Sequence, residues 1–198
     1  MNPQNITLCL RPRTLKVSDV RKLLVQKDDT AKEYLADLIL DRLRDRYVTP
    51  LEHVPIKPTD FRSGFLMMAA SCLMIETFQC FKEGKRDTKG KGKGNAAFKK
   101  FFSDYSSEFS GIDGEDFYKK IRCGILHQAQ THGRYRILRG GAIFDSAEKS
   151  INATAFLKTL KKIVEDYVDD LRIQDMNSDF WTNALRKIEF ICETIENE

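Results

Sequence analysis

Residues 65–81, FLMMAASCLMIETFQCF, constrain this chain most, because they place apolar side chains on every side of a helix. A surface helix carries one apolar stripe, so a helix apolar all round has to be wrapped by others. Its single acid, Glu76, enters that core and calls for a partner there. The apolar run Gly64–Ile75 is short for a bilayer span and meets Glu76, so the segment from about 60 to 82 is read as a buried bundle helix with no membrane role.

The rest of the chain supplies the wrapping. Residues 18–26 and 30–46 read as helices, the second opened by Thr30 and Glu33 in capping-box spacing. Pro50, Pro55 and Pro58 make TPLEHVPIKPTD an extended connector, which divides an N-terminal helical extension, 1–57, from a helical domain, 58–198. KEGKRDTKGKGKGN reads as a flexible surface loop, followed by helices near 95–106 and 114–130. RYRILRGGAIFD has two short alternating runs about Gly140 and Gly141, the pattern of a hairpin. Amphipathic helices over 152–173 and 178–196 end the chain. The predicted class is all-α, a helical bundle with a small β-hairpin after the 114–130 helix.

Charge is uneven. The net value is only +4, but Lys82–Arg139 holds 14 Lys and Arg against 7 Asp and Glu, whereas Leu160–Glu198 holds 5 against 10. A basic middle suits an anionic ligand, and solvated lysines on a loop explain it equally well. Five cysteines without a CxxC pair suggest neither a disulfide framework nor a zinc knuckle, and fit a reducing cytoplasm. The N-terminus lacks the basic and apolar regions of a secretory signal. No metal or other cofactor is expected, since His53, His127 and His132 lie outside any ligand spacing. The glycine-lysine loop misses the phosphate-loop pattern, because five residues separate Gly84 from Gly90 and Gly92 follows Lys91.

In YKKIRCGILHQAQTHGRYRI, Arg122 and His127 enclose four residues on a helix. This segment resembles the HEPN superfamily, whose pattern is Arg, four to six residues, then His. The resemblance covers roughly residues 58–198 and implies a short helical domain that cuts RNA without metal, as a homodimer with a composite active site. The family often has Asn, Asp or His directly after the Arg, and here that position is Cys123.

The chemistry asks for the same residue types. Attack by the 2′-hydroxyl of RNA needs a group that moves protons near neutrality, which suits His127 as general acid or base. It also needs a permanent cation on the phosphate, which suits the bidentate fork of Arg122. On an ideal helix, five residues set the two about 140° apart. Arg122 then falls on the apolar arc with Ile121 and Ile125, and His127 on the opposite side with Cys123 and Lys120. A guanidinium there needs a counter-charge, and Glu76 is the expected partner, with His127 turned toward a second copy. Glu76 is otherwise a satisfied core acid. Lys119 and Lys120, with Arg134 and Arg136 on one side of the first hairpin strand, make a candidate RNA-binding stripe; solvated arginines on an edge strand are the alternative.

The leading expectation is a cytoplasmic, metal-independent endoribonuclease. By family analogy it is a toxin or defence effector, with an antitoxin or regulatory protein as a further partner. The alternatives are a non-catalytic HEPN-like module that binds nucleotide, RNA or a protein partner, and a structural helical adaptor.

Overall fold

The computed structural model describes residues 2–9, 14–52 and 63–197. In chain order the elements are a 3-10 turn (Pro3–Asn5), β1 (Thr7–Cys9), β2 (Leu15–Lys16), α1 (Val17–Gln26), α2 (Asp29–Tyr47), α3 (Thr49–Glu52), α4 (Gly64–Glu83), α5 (Lys93–Asp104), α6 (Gly114–Phe117), a π turn (Tyr118–Arg122), α7 (Cys123–Gln128), β3 (Arg136–Leu138), β4 (Phe144–Asp145), β5 (Ser150–Asn152), α8 (Ala153–Ile173) and α9 (Asp179–Glu196). The described chain is mainly helical and falls into two compact units. One comprises Met1–Arg46, Phe78–Asp87 and Ile163–Glu198, and the other Tyr47–Thr77 and Thr88–Lys162.

The first unit joins chain ends that are remote in sequence. Leu35, Leu38, Ile39 and Leu43 of α2, and Trp181, Ile188 and Cys192 of α9, are buried. The Trp181 indole N–H donates to the Leu171 carbonyl at 2.7 Å, so the largest core side chain keeps its polar atom satisfied. Arg21 of α1 pairs with Glu196 of α9 at 2.5 Å, and Arg172 pairs with Asp37 at 2.8 Å. The predicted capping box does not open α2. The helix begins at Asp29, and the Asp28 carboxylate accepts from the Ala31 amide at 2.8 Å. Thr30 and Asp28 are both capable caps, but a carboxylate gains more from backbone N–H groups at a helix start.

The proline-rich connector is also more ordered at its beginning than its composition suggests. Thr49–Glu52 forms a single helical turn with Pro50 at its second position, where a missing N–H removes no helical bond. Positions 53–62 of the connector lie outside the described residues.

The second unit has an aromatic core. Phe102 and Phe117 lie 4.8 Å apart, Phe109 and Phe156 4.6 Å, and Phe117 stacks on Phe156 at 5.4 Å. The predicted hairpin about Gly140 and Gly141 does not form. The sheet order is β3-β5-β4, with β3 parallel and β4 antiparallel to β5, so the two expected partners never pair. Asn152 explains the insertion of β5. Its amide N–H donates to Ile143 and its side chain to Gly141 at 2.7 Å, while its Oδ1 accepts from the Thr154 and Ala155 amides at the start of α8. One buried residue therefore ends a strand through its backbone, and its side chain caps a helix and holds the glycine turn.

At 20 residues, α4 exceeds its apolar run and is, among the described residues, the helix long and apolar enough to cross a bilayer, with 61% of that stretch buried inside the protein. Met67, Met68, Cys72, Met74 and Ile75 are all buried on it.

Packing of α5 on α6 leaves no room at Gly114, where an added Cβ would lie 2.7 Å from the Lys99 Cα and 2.8 Å from the Phe98 carbonyl oxygen. Gly114→Ala is expected to destabilise the fold by about 1–3 kcal/mol, because backbone rather than a flexible side-chain tip must move. Urea denaturation of the variant against wild type measures this, and an unchanged midpoint would contradict the tight α5–α6 contact.

Candidate functional site

The motif lies on one continuous helical segment, Gly114–Gln128, made of α6, the π turn and α7. Asp113 opens it, its carboxylate accepting from the Asp116 amide at 2.7 Å. The Cys123 amide then donates to the Tyr118 carbonyl, five residues back, and the helix widens there. A π turn leaves one carbonyl without its usual donor. Here the Lys120 carbonyl is satisfied from outside, by the His132 amide at 2.8 Å.

At its C-terminal end the segment turns through Ala129 at φ 54°, with the Ala129 amide bonded to Ile125 and the Gln130 amide to Gly124. The chain folds back so closely that a Cβ on Gly124 would sit 2.3 Å from the Gln130 carbonyl oxygen. Gly124 lets residues 130–132 reach back to the π turn.

The motif departs from its expected geometry. Rather than lying apart on opposite faces, Arg122 and His127 are in contact, with the guanidinium Nη1 3.3 Å from the imidazole Nε2. Arg122 closes the π turn and the stretch from Cys123 to Gln128 is α-helical, so the contact is made by the reach of the long arginine side chain around the helix. Arginine has no acceptor, so as a hydrogen bond this contact runs from the guanidinium N–H to Nε2. His127 is exposed, and the Arg122 side chain is 19% exposed.

Glu76 takes up the expected position. Its Oε1 accepts from the Arg122 Nε at 2.8 Å, and its Oε2 accepts from the Thr88 hydroxyl. Beneath the guanidinium lies the Tyr118 ring, with the Arg122 Cζ 5.5 Å from its centroid. Burial, the largest single influence, opposes the charge on Arg122, but the hydrogen bond and negative charge of Glu76, with Tyr118 and Cys123 beside it, together hold the guanidinium above its ordinary pKa. Burial, and then the neighbouring Cys123, raise the Tyr118 phenol. Cys123 is half-buried, and Cys72 on α4 is fully buried, its thiol pushed up by desolvation.

The surrounding basic residues are less available than the sequence suggests. Lys119 pairs with Glu115 at 2.5 Å, Lys120 with Asp116 at 2.5 Å, and Arg136 with Glu148 at 2.5 Å. Arg134 and Arg136 do not share a strand face. Arg134 precedes β3 in the left-handed region at φ 64°, because the chain is still leaving the turn that follows α7. Tyr135 between them stacks on Phe144 at 6.3 Å.

Two residues enter the site unannounced. Tyr118 opens the π turn that Arg122 closes, and a turn of that kind has no residue signature. Thr88 carries no local signal. Among the described residues, no group of three or more His, Cys, Asp or Glu is placed to hold a metal ion.

Removing Glu76 leaves a half-buried cation without its counter-charge. Glu76→Ala is therefore expected to destabilise the fold by about 2–4 kcal/mol, and Glu76→Gln by less because its amide oxygen still accepts. Chemical denaturation of both variants tests this, and equal stability of Glu76→Ala and wild type would contradict it. Gly124→Ala should speed amide hydrogen exchange at His132 by displacing the backbone that meets Lys120; unchanged exchange there would show that the turn absorbs a Cβ.

No protein-family model, curated protein or solved structure matches this chain.

Proposed function

We propose that the chain is a metal-independent endoribonuclease that cleaves RNA by attack of the 2′-hydroxyl on the adjacent phosphorus. The observation that carries this reading is the contact between Arg122 and His127, a permanent cation and an imidazole nitrogen 3.3 Å apart. In the proposed step an RNA phosphate takes the outer nitrogens of Arg122, whose Nε stays on Glu76. His127 Nε2 is released from the guanidinium and accepts the 2′-hydroxyl proton. The 2′-oxygen bonds to phosphorus, the bond from phosphorus to the 5′-oxygen breaks, and the leaving oxygen takes up a proton. The products are a 2′,3′-cyclic phosphate and a 5′-hydroxyl.

Base and acid are separate tasks, and each chain brings one imidazole to its motif. A homodimer in which two motifs face one cleft supplies both, in keeping with the exposure of His127. A cytoplasmic toxin or defence effector, with an antitoxin or regulatory protein, is the biological setting proposed.

One observation favours a second reading, a non-catalytic module that recognises nucleotide, RNA or a protein partner. Lys119, Lys120 and Arg136 are each matched by a carboxylate, which suits its protein-partner form better than an RNA surface.

Incubation of mixed RNA with the protein in EDTA, followed by end-group analysis, separates the two. Cleavage by wild type with cyclic phosphate ends is expected, and Arg122→Ala and His127→Ala should each lose about 100-fold or more. Equal cleavage by all three proteins would reject the site, and none by wild type would leave the binding module.

A further inference from the structure

We infer that the lysine-glycine segment 89–93 is the substrate-docking flap of the Arg122 site, where Lys91 and Lys93 hold the phosphates of single-stranded RNA. The inference rests on the ribonuclease reading for its ligand, but its evidence is independent of catalysis.

The segment is fastened at both ends to partners of Arg122. At one end the Thr88 hydroxyl donates to Glu76 Oε2, and the other oxygen of the same carboxylate holds Arg122. At the other end Gly94 lies against the Tyr118 ring, where an added Cβ would come within 2.9 Å of Cε2 and 3.0 Å of the hydroxyl, and this ring underlies the guanidinium. Each end is thus one side chain away from the phosphate clamp.

Between those anchors the chain is folded and open. Gly90 and Gly92 take φ 106° and 79°, and the Lys93 amide closes a turn on the Gly90 carbonyl at 3.3 Å. Residues 89–93 are all exposed, and nothing lies within 4 Å of a Cβ built on Gly92.

Charge separates this segment from most other basic residues near the motif. Lys99, Lys100, Lys119, Lys120 and Arg136 each meet a carboxylate, whereas Arg134, exposed after the motif helix, shares with the segment the lack of an ion pair among the described residues. Among the described residues Lys91 and Lys93 are in no ion pair. A phosphate can therefore engage them without displacing an acid, and these lysines release counterions in full when a strand docks.

The test uses a fluorescent, mixed-sequence 2′-O-methyl RNA, which keeps the phosphates but lacks the attacking hydroxyl, with the full-length protein. Affinity is followed in EDTA from about 50 to 200 mM salt, where each phosphate contact to a single strand contributes about 0.7 to the slope of log affinity against log salt. Lys91→Gln with Lys93→Gln is expected to weaken binding and flatten the slope by about 1.4. Thr88→Val should weaken binding in the same direction, and Thr88→Ser should restore it. Wild-type affinity and slope in the lysine double variant, or no binding by wild type, would overturn the inference, and wild-type affinity in Thr88→Val would overturn the tether. Cleavage of ordinary RNA is scored separately. A protein that cuts RNA with a silent flap defeats only this inference, and one that binds through the flap but never cuts defeats only the nuclease reading.

Discussion

The ion pair between Glu76 and Arg122 is the interaction on which the second unit's chemistry depends. An apolar helix tolerates a carboxylate only where a cation meets it, and a guanidinium on a packed face needs the same compensation. At 2.8 Å the pair satisfies both, and it leaves the outer nitrogens of Arg122 free to reach His127 and the faces above Tyr118. A burial problem on α4 and a functional group on the motif helix are solved by one contact. Pairs of this kind add little net stability, because desolvation offsets most of the attraction. Their worth here is positional, since they define where a charge stands.

Around that pair, satisfaction of polar groups recurs as the organising rule. The π turn exposes the Lys120 carbonyl, and the chain returns through Gly124's empty space to cover it with the His132 amide. Asn152 similarly serves a turn and a helix start with one side chain. These arrangements tie irregular segments to regular ones, so the loops that surround Arg122 have fixed attachments.

Much of this was legible in the sequence. Periodicity marks the long helices, and the need of Glu76 and Arg122 for each other follows from their apolar surroundings, without any three-dimensional information. What escaped did so for physical reasons. A wheel drawn at about 100° per residue places Cα positions and takes no account of side-chain length, so it separates Arg122 from His127 when the long arginine reaches the imidazole. The glycine pair at 140–141 looks like a local hairpin, but the pairing is decided by Asn152, ten and more residues away and read as part of a helix. Alternation assigned Arg134 and Arg136 to one strand, whereas the preceding turn keeps Arg134 in a left-handed conformation. Thr88 reaches Glu76 from a loop whose composition speaks only of solvent.

The π turn has a consequence for how this segment can vary through descent. It holds one residue more than α winding would use, and the surplus is taken up ahead of the α-helical stretch that carries His127. Loss of a single residue between Tyr118 and Arg122 would let the segment close into regular α winding with its two ends left where they stand. Arg122 and His127 would keep their spacing, and the bond between the His132 amide and the Lys120 carbonyl would be what is lost. The surplus residue thus serves the fold-back through Gly124, and the motif itself does not depend on it.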